Sequence, residues 1–309
     1  MVLTELKTDI ESVAPQNIVI LGSSGFIGSR LRHLLSRDRN RSVVGWSLPG
    51  QDLSKTGAIE QLRPMVTEQT TLILAAAVKR QFGDNRDVYR NNMAIVENIC
   101  ELLETSAIRQ LIFMSSSAVY GEETENLQID ESTPVNPTSY YGMAKYASER
   151  LLRKACQTNG KTILACLRSP LVYGPNDQGR TYGPSGFCAA ALAGEPIVLW
   201  GDGTELREFI YIDDLCRIIE LVVARGFDGE LNIVSGVRQS FAEVVALLKR
   251  IKPDLRVESR PRSKTKADNA FDARKIRALL PKDFEFTTLE EGLALTLGLH
   301  SLSRGVYGS

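Results

Sequence analysis

The feature that most constrains this chain is a glycine turn near its start. Asn17-Ile-Val-Ile-Leu21 reads as a short buried strand and runs straight into Gly22-Ser-Ser-Gly25-Phe-Ile-Gly28. Beyond it Leu31, Leu34 and Leu35 repeat at helical spacing as far as Ser36. Strand, glycine turn and helix in immediate succession is the context in which such a turn holds a dinucleotide. Gly22 permits the tight turn, Gly25 lets a pyrophosphate approach the backbone, and Gly28 lets helix pack on strand. The helix N-terminus then faces the phosphates.

The rhythm that follows agrees with this start. Val43–Trp46, Thr71–Ala77, Gln110–Met114 and Thr162–Leu167 read as further strands, with an amphipathic helix over Asn91–Leu103. This alternation predicts an α/β fold built on a doubly wound parallel (Rossmann) sheet, with ligands at the carboxyl ends of its strands. Residues 17–175 are expected to form the dinucleotide-binding domain, and a strand and helix near 208–225 to return to it. Residues 176–207 and 226–309, where the pattern is irregular, are expected to form a smaller C-terminal α/β substrate lobe, with 1–16 as a loose leader. At the end of the Val43–Trp46 strand an acid takes the adenosine ribose hydroxyls of NAD. Here the chain offers Ser47, with no acid until Asp52. That absence permits NADP, but no well-placed arginine follows to demand it. The choice between NADP(H) and NAD(H) stays open.

A second constellation lies in Ser139-Tyr140-Tyr141-Gly142-Met143-Ala144-Lys145. Tyr141 and Lys145 are four residues apart, so a helix places them on one face. A phenol is a poor acid at neutral pH, with a reference pKa of about 10. An ammonium beside it favours the phenolate and brings proton exchange with a carbonyl or alcohol within reach. The serine run Ser115–Ser117 closes the Gln110–Met114 strand, among the strand ends where the sheet is expected to bind its ligands.

The rest of the composition narrows the class. With 37 basic and 37 acidic residues, nothing calls for a nucleic acid or an acidic membrane surface. The five scattered cysteines read as reduced thiols of a cytoplasmic protein, and the two histidines have no metal-ligand spacing. The apolar run Thr71–Val78 is far too short to span a bilayer.

Taken together, these motifs resemble the extended short-chain dehydrogenase/reductase family, in its NAD-dependent nucleotide-sugar epimerase/dehydratase branch. The resemblance runs from Asn17 to Leu297. It is carried by the glycine turn, Ser-Ser…Val-Tyr-Gly, Tyr-x-x-x-Lys, Leu-Arg…Val-Tyr-Gly-Pro and Gly-Asp-Gly…Arg-Glu-Phe…Asp-Asp. It implies Ser116, Tyr141 and Lys145 as catalytic residues. It also implies a cofactor held by Gly22, Ser24, Gly25, Phe26, Ile27, Gly28, Ser47, Asp52, Leu53, Ala75, Ala76, Lys79 and Asn92, together with Tyr141 and Lys145. Ser116, Ser117, Tyr141 and Arg207 would meet a nucleotide-sugar substrate, with Arg207 on its phosphates. The alternative for Arg207 is a surface arginine paired with Glu205 or Glu208. A homodimer through a four-helix bundle of the helices near 92–104 and 142–154 is also implied.

Departures from the pattern sharpen the expectation. Sugar 4,6-dehydratases that this chain resembles carry Asp-Glu after the catalytic Thr, where this chain has Ser117 and Ala118. Reductases that also epimerise neighbouring carbons use a cysteine at the Ala118 position. The family's Leu-Arg-x-x-Asn has Leu171 in place of its Asn. What remains is machinery for one hydride and one hydroxyl proton. The expected reaction is reduction at C4 of a 4-keto-6-deoxy nucleotide sugar. An NAD-dependent 4-epimerase is the nearest alternative, and a non-catalytic NADP(H)-sensing regulator a remote one.

Overall fold

The computed structural model describes residues 16–78, 83–123, 125–179, 183–262 and 265–299. The first half runs β1 (Gln16–Leu21), α1 (Phe26–Leu35), β2 (Arg41–Trp46), α2 (Ala58–Leu62), β3 (Thr70–Leu74), α3 (Arg86–Thr105), β4 (Gln110–Ser116), β5 (Asn126–Ile129) and α4 (Tyr140–Asn159). It continues with β6 (Ile163–Ser169), β7 (Leu171–Tyr173), α5 (Gly183–Ala193), β8 (Ile197–Trp200), β9 (Leu206–Tyr211) and α6 (Ile212–Arg225). The last stretch holds β10 (Gly229–Asn232), β11 (Arg238–Ser240), α7 (Phe241–Ile251), β12 (Val257–Arg260), β13 (Asn269–Phe271), α8 (Arg274–Leu279) and α9 (Leu289–Thr296).

Six strands form one sheet in the order β2-β1-β3-β4-β6-β10, every pair parallel. The apolar runs seen in the sequence are continuous because both faces of this sheet are covered. Ile18, Ile20, Ile73, Ile112 and Leu167 face the layer of α1 and α6. Their neighbours Val19, Leu21, Leu72, Leu111 and Phe113 face α3 and α4, against Ile95, Ile99, Leu102 and Leu152. The direction of winding reverses between β1 and β3, which makes the crevice beyond their carboxyl ends the natural ligand site.

Three small sheets stand beyond that edge: β7-β9-β11, β8-β12 and β5-β13. Here the structure departs from the boundaries drawn above. β9 pairs with β7 and β11 rather than returning to the large sheet, so α6 alone returns, packed against α1. Conversely β10, inside the range given to the smaller lobe, completes the large sheet beside β6. It is four residues long with little apolar content, so a periodic pattern had nothing to register. The helix expected from Asn91 begins at Arg86, because the side chain of Asn85 caps it by accepting from the backbone N–H of Asp87 and Val88. Among the described residues no helix is long and apolar enough to cross a membrane.

Candidate active site

The glycine turn has the form of a cradle. Gly22 sits at φ +87, and a Cβ there would lie 2.6 Å from the amide nitrogen of Ala76. A Cβ on Gly28 would collide with the Gly22 carbonyl. Only glycine lets the β1 exit, the β3 exit and the start of α1 come this close. Gly25 precedes α1 with no side-chain cap, and Ser24 and Gly25 are exposed. The turn therefore offers exposed backbone at a helix start with no side chain in the way, and these residues fit a dinucleotide pyrophosphate.

The flanking positions take up distinct roles. The carbonyl of Trp46 accepts from Gly22 N and Ser23 N at 2.7 and 3.2 Å, which pins Ser47 beside the turn. Ala75 and Ala76 form the opposite wall at the β3 exit. Asn92 is buried, and its amide accepts from Val78 N and donates to Val78 O at 2.9 and 3.0 Å. It holds the wall that carries Ala75 and Ala76. Asp52 accepts from both the backbone and the hydroxyl of Ser54, which lowers its pKa. Leu53 is buried in the core, its carbonyl accepting from Asn98. Lys79 lies outside the described residues.

The second constellation assembles where β4 ends. The Ser139 hydroxyl accepts from Gly142 N and starts α4, which places Tyr141 in its first turn. A Cβ on Gly142 would lie 2.6 Å from the Ala118 carbonyl, so this glycine brings Tyr141 against the Ser116–Ala118 turn. The three serines there separate by environment. Ser115 is buried and donates to Glu149 at 2.5 Å. Ser116 and Ser117 line the cavity that Tyr141 also lines. Ser116 Oγ accepts from Ala118 N at 3.2 Å, which leaves its own O–H to be donated.

Lys145 is 5% exposed, its Nζ 5.6 Å from the Tyr141 ring centre and donating to the Met114 carbonyl at 2.7 Å. Burial pushes its pKa down to about 8, and Glu149 partly offsets this. Behind it stands a buried ion pair that sequence reasoning missed. Arg168 grips Glu149 with two parallel bonds of 3.0 and 2.7 Å and also donates to the Tyr120 hydroxyl at 2.9 Å. The signal was present: Glu149 lies four residues past Lys145 on the same helix face.

A cavity of about 600 Å³ joins the two halves. Phe26 and Ile27 of the glycine turn line one end, Ser116, Ser117 and Tyr141 the middle, and Trp200, Arg207 and Arg262 the far end. Leu171, at the departure noted above, also lines it. Arg207 lines the cavity and is paired with Glu205. Arg262 also holds Glu205, at 2.9 Å, and reaches Asp202 at 3.1 Å. Arg262 follows β12 in a segment without periodicity, which hid it from pattern reading.

The profile of the NAD dependent epimerase/dehydratase family matches residues 18–234. A trifunctional UDP-glucose 4,6-dehydratase/UDP-4-keto-6-deoxy-D-glucose 3,5-epimerase/UDP-4-keto-L-rhamnose-reductase of Arabidopsis thaliana is 26% identical over 319 residues, covering 92% of this chain and 47% of its own length. The chain thus spans about half the length of that curated relative. The uncharacterized UDP-glucose epimerase YtcB of Bacillus subtilis is 28% identical over 261 residues, covering 76% of this chain and 81% of its own. Among solved structures, MoeE5 in complex with UDP-glucuronic acid and NAD aligns with a TM-score of 0.78 at 27% identity, covering 92% of this chain and 98% of that one. A profile match across more than half of a chain whose sheet and cradle already had this form means that the chain belongs to the NAD-dependent epimerase/dehydratase family.

Proposed function

We propose that this chain transfers hydride between a nicotinamide dinucleotide and C4 of a nucleotide-linked sugar, in the direction that reduces a 4-keto-6-deoxy intermediate. The observation that carries the reading is the cavity wall itself. Tyr141 and Ser116 line one cavity with Phe26 and Ile27 of the glycine turn, and no carboxylate or thiol occupies positions 117 and 118. Ring deprotonation and dehydration need such groups; reduction of a carbonyl does not.

A bound nicotinamide supplies the hydride. Tyr141 gives its phenolic proton to the carbonyl oxygen as the alkoxide forms. Ser116 donates its O–H to the same oxygen and holds the developing charge. Lys145, kept as a cation below about pH 8, supplies the positive field beside Tyr141 and would hold the ribose of a bound cofactor. Arg207 and Arg262 meet the diphosphate of the substrate, and Leu171 makes the grip there apolar rather than amide-based. The partner we assign is a second copy of the chain, through α3 and α4. Met143, Ala147 and Leu151 form a stripe along α4, with Met143 and Leu151 exposed at 43% and 41%.

The similarity to a UDP-glucose epimerase favours a second reading, a 4-epimerase that oxidises and re-reduces C4 with a retained cofactor. One experiment separates the two. The protein is purified without added cofactor, denatured, and the released dinucleotide identified, while the intact protein is given a 4-keto-6-deoxy nucleotide sugar and NADPH or NADH. An empty protein that consumes reduced cofactor supports reduction; near-stoichiometric bound NAD and no net consumption supports the epimerase instead.

A further inference from the structure

An arginine reaches the ribose end of the cofactor site from α1, the helix that precedes β2 in the chain. Arg32 lies on α1, and a Cβ on Gly45 of β2 would stand 3.3 Å from its Cδ and 2.6 Å from Ser23 Oγ. Glycine at 45 thus lets the stem of Arg32 lie across the end of β2. Ser23 Oγ is 3.4 Å from Ser47 Oγ, at the place where an acid would receive a ribose 2′-hydroxyl. The open cleft beside these serines is lined by Ser23, Ser29, Arg32, His33, Ser36 and Arg37, with no carboxylate.

The acids of the neighbourhood are engaged elsewhere. Asp38 pairs with Arg41, Asp213 with Arg30, and Asp52 accepts from Ser54. Among the described residues no ion pair involves Arg32, whereas Arg37 lies 3.1 Å from His33 Nε2. A cleft of arginines and hydroxyls without a carboxylate suits an anion with several acceptor oxygens.

We propose that Ser23, Arg32 and Ser47 form a seat for the 2′-phosphate of NADP(H), with Arg37 at its rim, so that this chain prefers NADP(H) to NAD(H). The proposal rests on the dinucleotide reading above and deepens it. It sets the chain apart from its structural relative MoeE5, which holds NAD. A guanidinium on a phosphate strengthens binding by about 10- to 100-fold. The phosphate has a second pKa of about 6. The preference is therefore strongest above pH 7 and weakens toward pH 5.

The test measures dissociation constants of the full chain for NADPH and NADH by cofactor fluorescence, and compares 2′,5′-ADP with 5′-ADP as competitors. Expected are NADPH binding at least about tenfold tighter than NADH, and an Arg32→Ala variant that weakens NADPH and 2′,5′-ADP while NADH stays as it was. Arg30→Ala, on the same helix but paired with Asp213, keeps the wild-type ratio. Equal affinities in the wild type, or a loss in Arg32→Ala that is the same for both cofactors, overturns the 2′-phosphate seat alone. A protein that binds neither cofactor overturns the dinucleotide reading beneath it as well.

Discussion

The two ends of the cavity are built on different principles. The cofactor end is made of backbone: strand exits, a glycine cradle and helix starts, tied by hydrogen bonds within one parallel sheet. Behind it lies the buried ion pair Glu149–Arg168, 3% and 6% exposed at the side chains. The substrate end is made of side chains carried by short strands from distant parts of the chain. Its ion pairs, Glu205 with Arg207 and Arg262, remain 17–20% exposed and can exchange partners. One end is a fixed mould; the other holds its cations on an internal carboxylate, which under the proposed function a substrate diphosphate would displace.

This contrast makes predictions that rank by size. The largest concerns the chemical centre between the ends. Tyr141→Phe removes the proton donor without changing the cradle, so turnover should fall by at least about 100-fold while cofactor affinity is spared, as steady-state rates beside cofactor titration would show. Substantial residual turnover would remove Tyr141 from the mechanism. Next, Arg168→Ala leaves Glu149 buried without its partner and should lower unfolding stability by about 3–5 kcal/mol. Glu205→Gln, at the other end, should change stability by less than about 1 kcal/mol and lower KM for the nucleotide sugar by freeing two arginines. Equal stability losses in denaturant melts would erase the distinction between mould and exchangeable clamp.

A smaller effect follows from Lys145. Burial lowers its pKa from 10.5 to about 8, so the fold disfavours its charged form. The unfolded chain holds the proton more tightly, and stability should therefore rise with pH between about 8 and 10.5 as the folded group discharges. Reduction should move the other way and decline above pH about 8, as the positive field beside Tyr141 is lost. Lys145→Met should abolish the alkaline gain in stability; a gain that persists would assign it to another group.

What could be read from the sequence followed the same division. β1 to β4, the glycine turn and the shared face of Tyr141 and Lys145 were legible, because a doubly covered parallel strand gives an unbroken apolar run and a helix repeats its face every few residues; Ser116 was singled out only through the family resemblance. Asn92 was named, but its hold on Val78 depends on a carbonyl and an amide that no side-chain pattern reports. Arg32 was missed because it precedes β2 in the chain and reaches its end only through the α1–β2 packing allowed by Gly45. At the substrate end the pairing of β9 with β7 joins segments 38 residues apart at Val172 and Ile210, through strands too short to show a period. Glu205 and Arg262 meet across a still longer separation.

The most direct measurement of the central claim follows the hydride. NADPH carrying deuterium at the transferable C4 position is incubated with the protein and a 4-keto-6-deoxy nucleotide sugar, and the product is read by NMR. The product should carry one deuterium at C4 of the sugar, with one NADPH consumed per product, and Tyr141→Phe should transfer none. A 4-keto sugar left unreduced with NADPH unconsumed, while a 4-hydroxy nucleotide sugar given in its place exchanges its C4 configuration, would contradict reduction and place the chain among the epimerases.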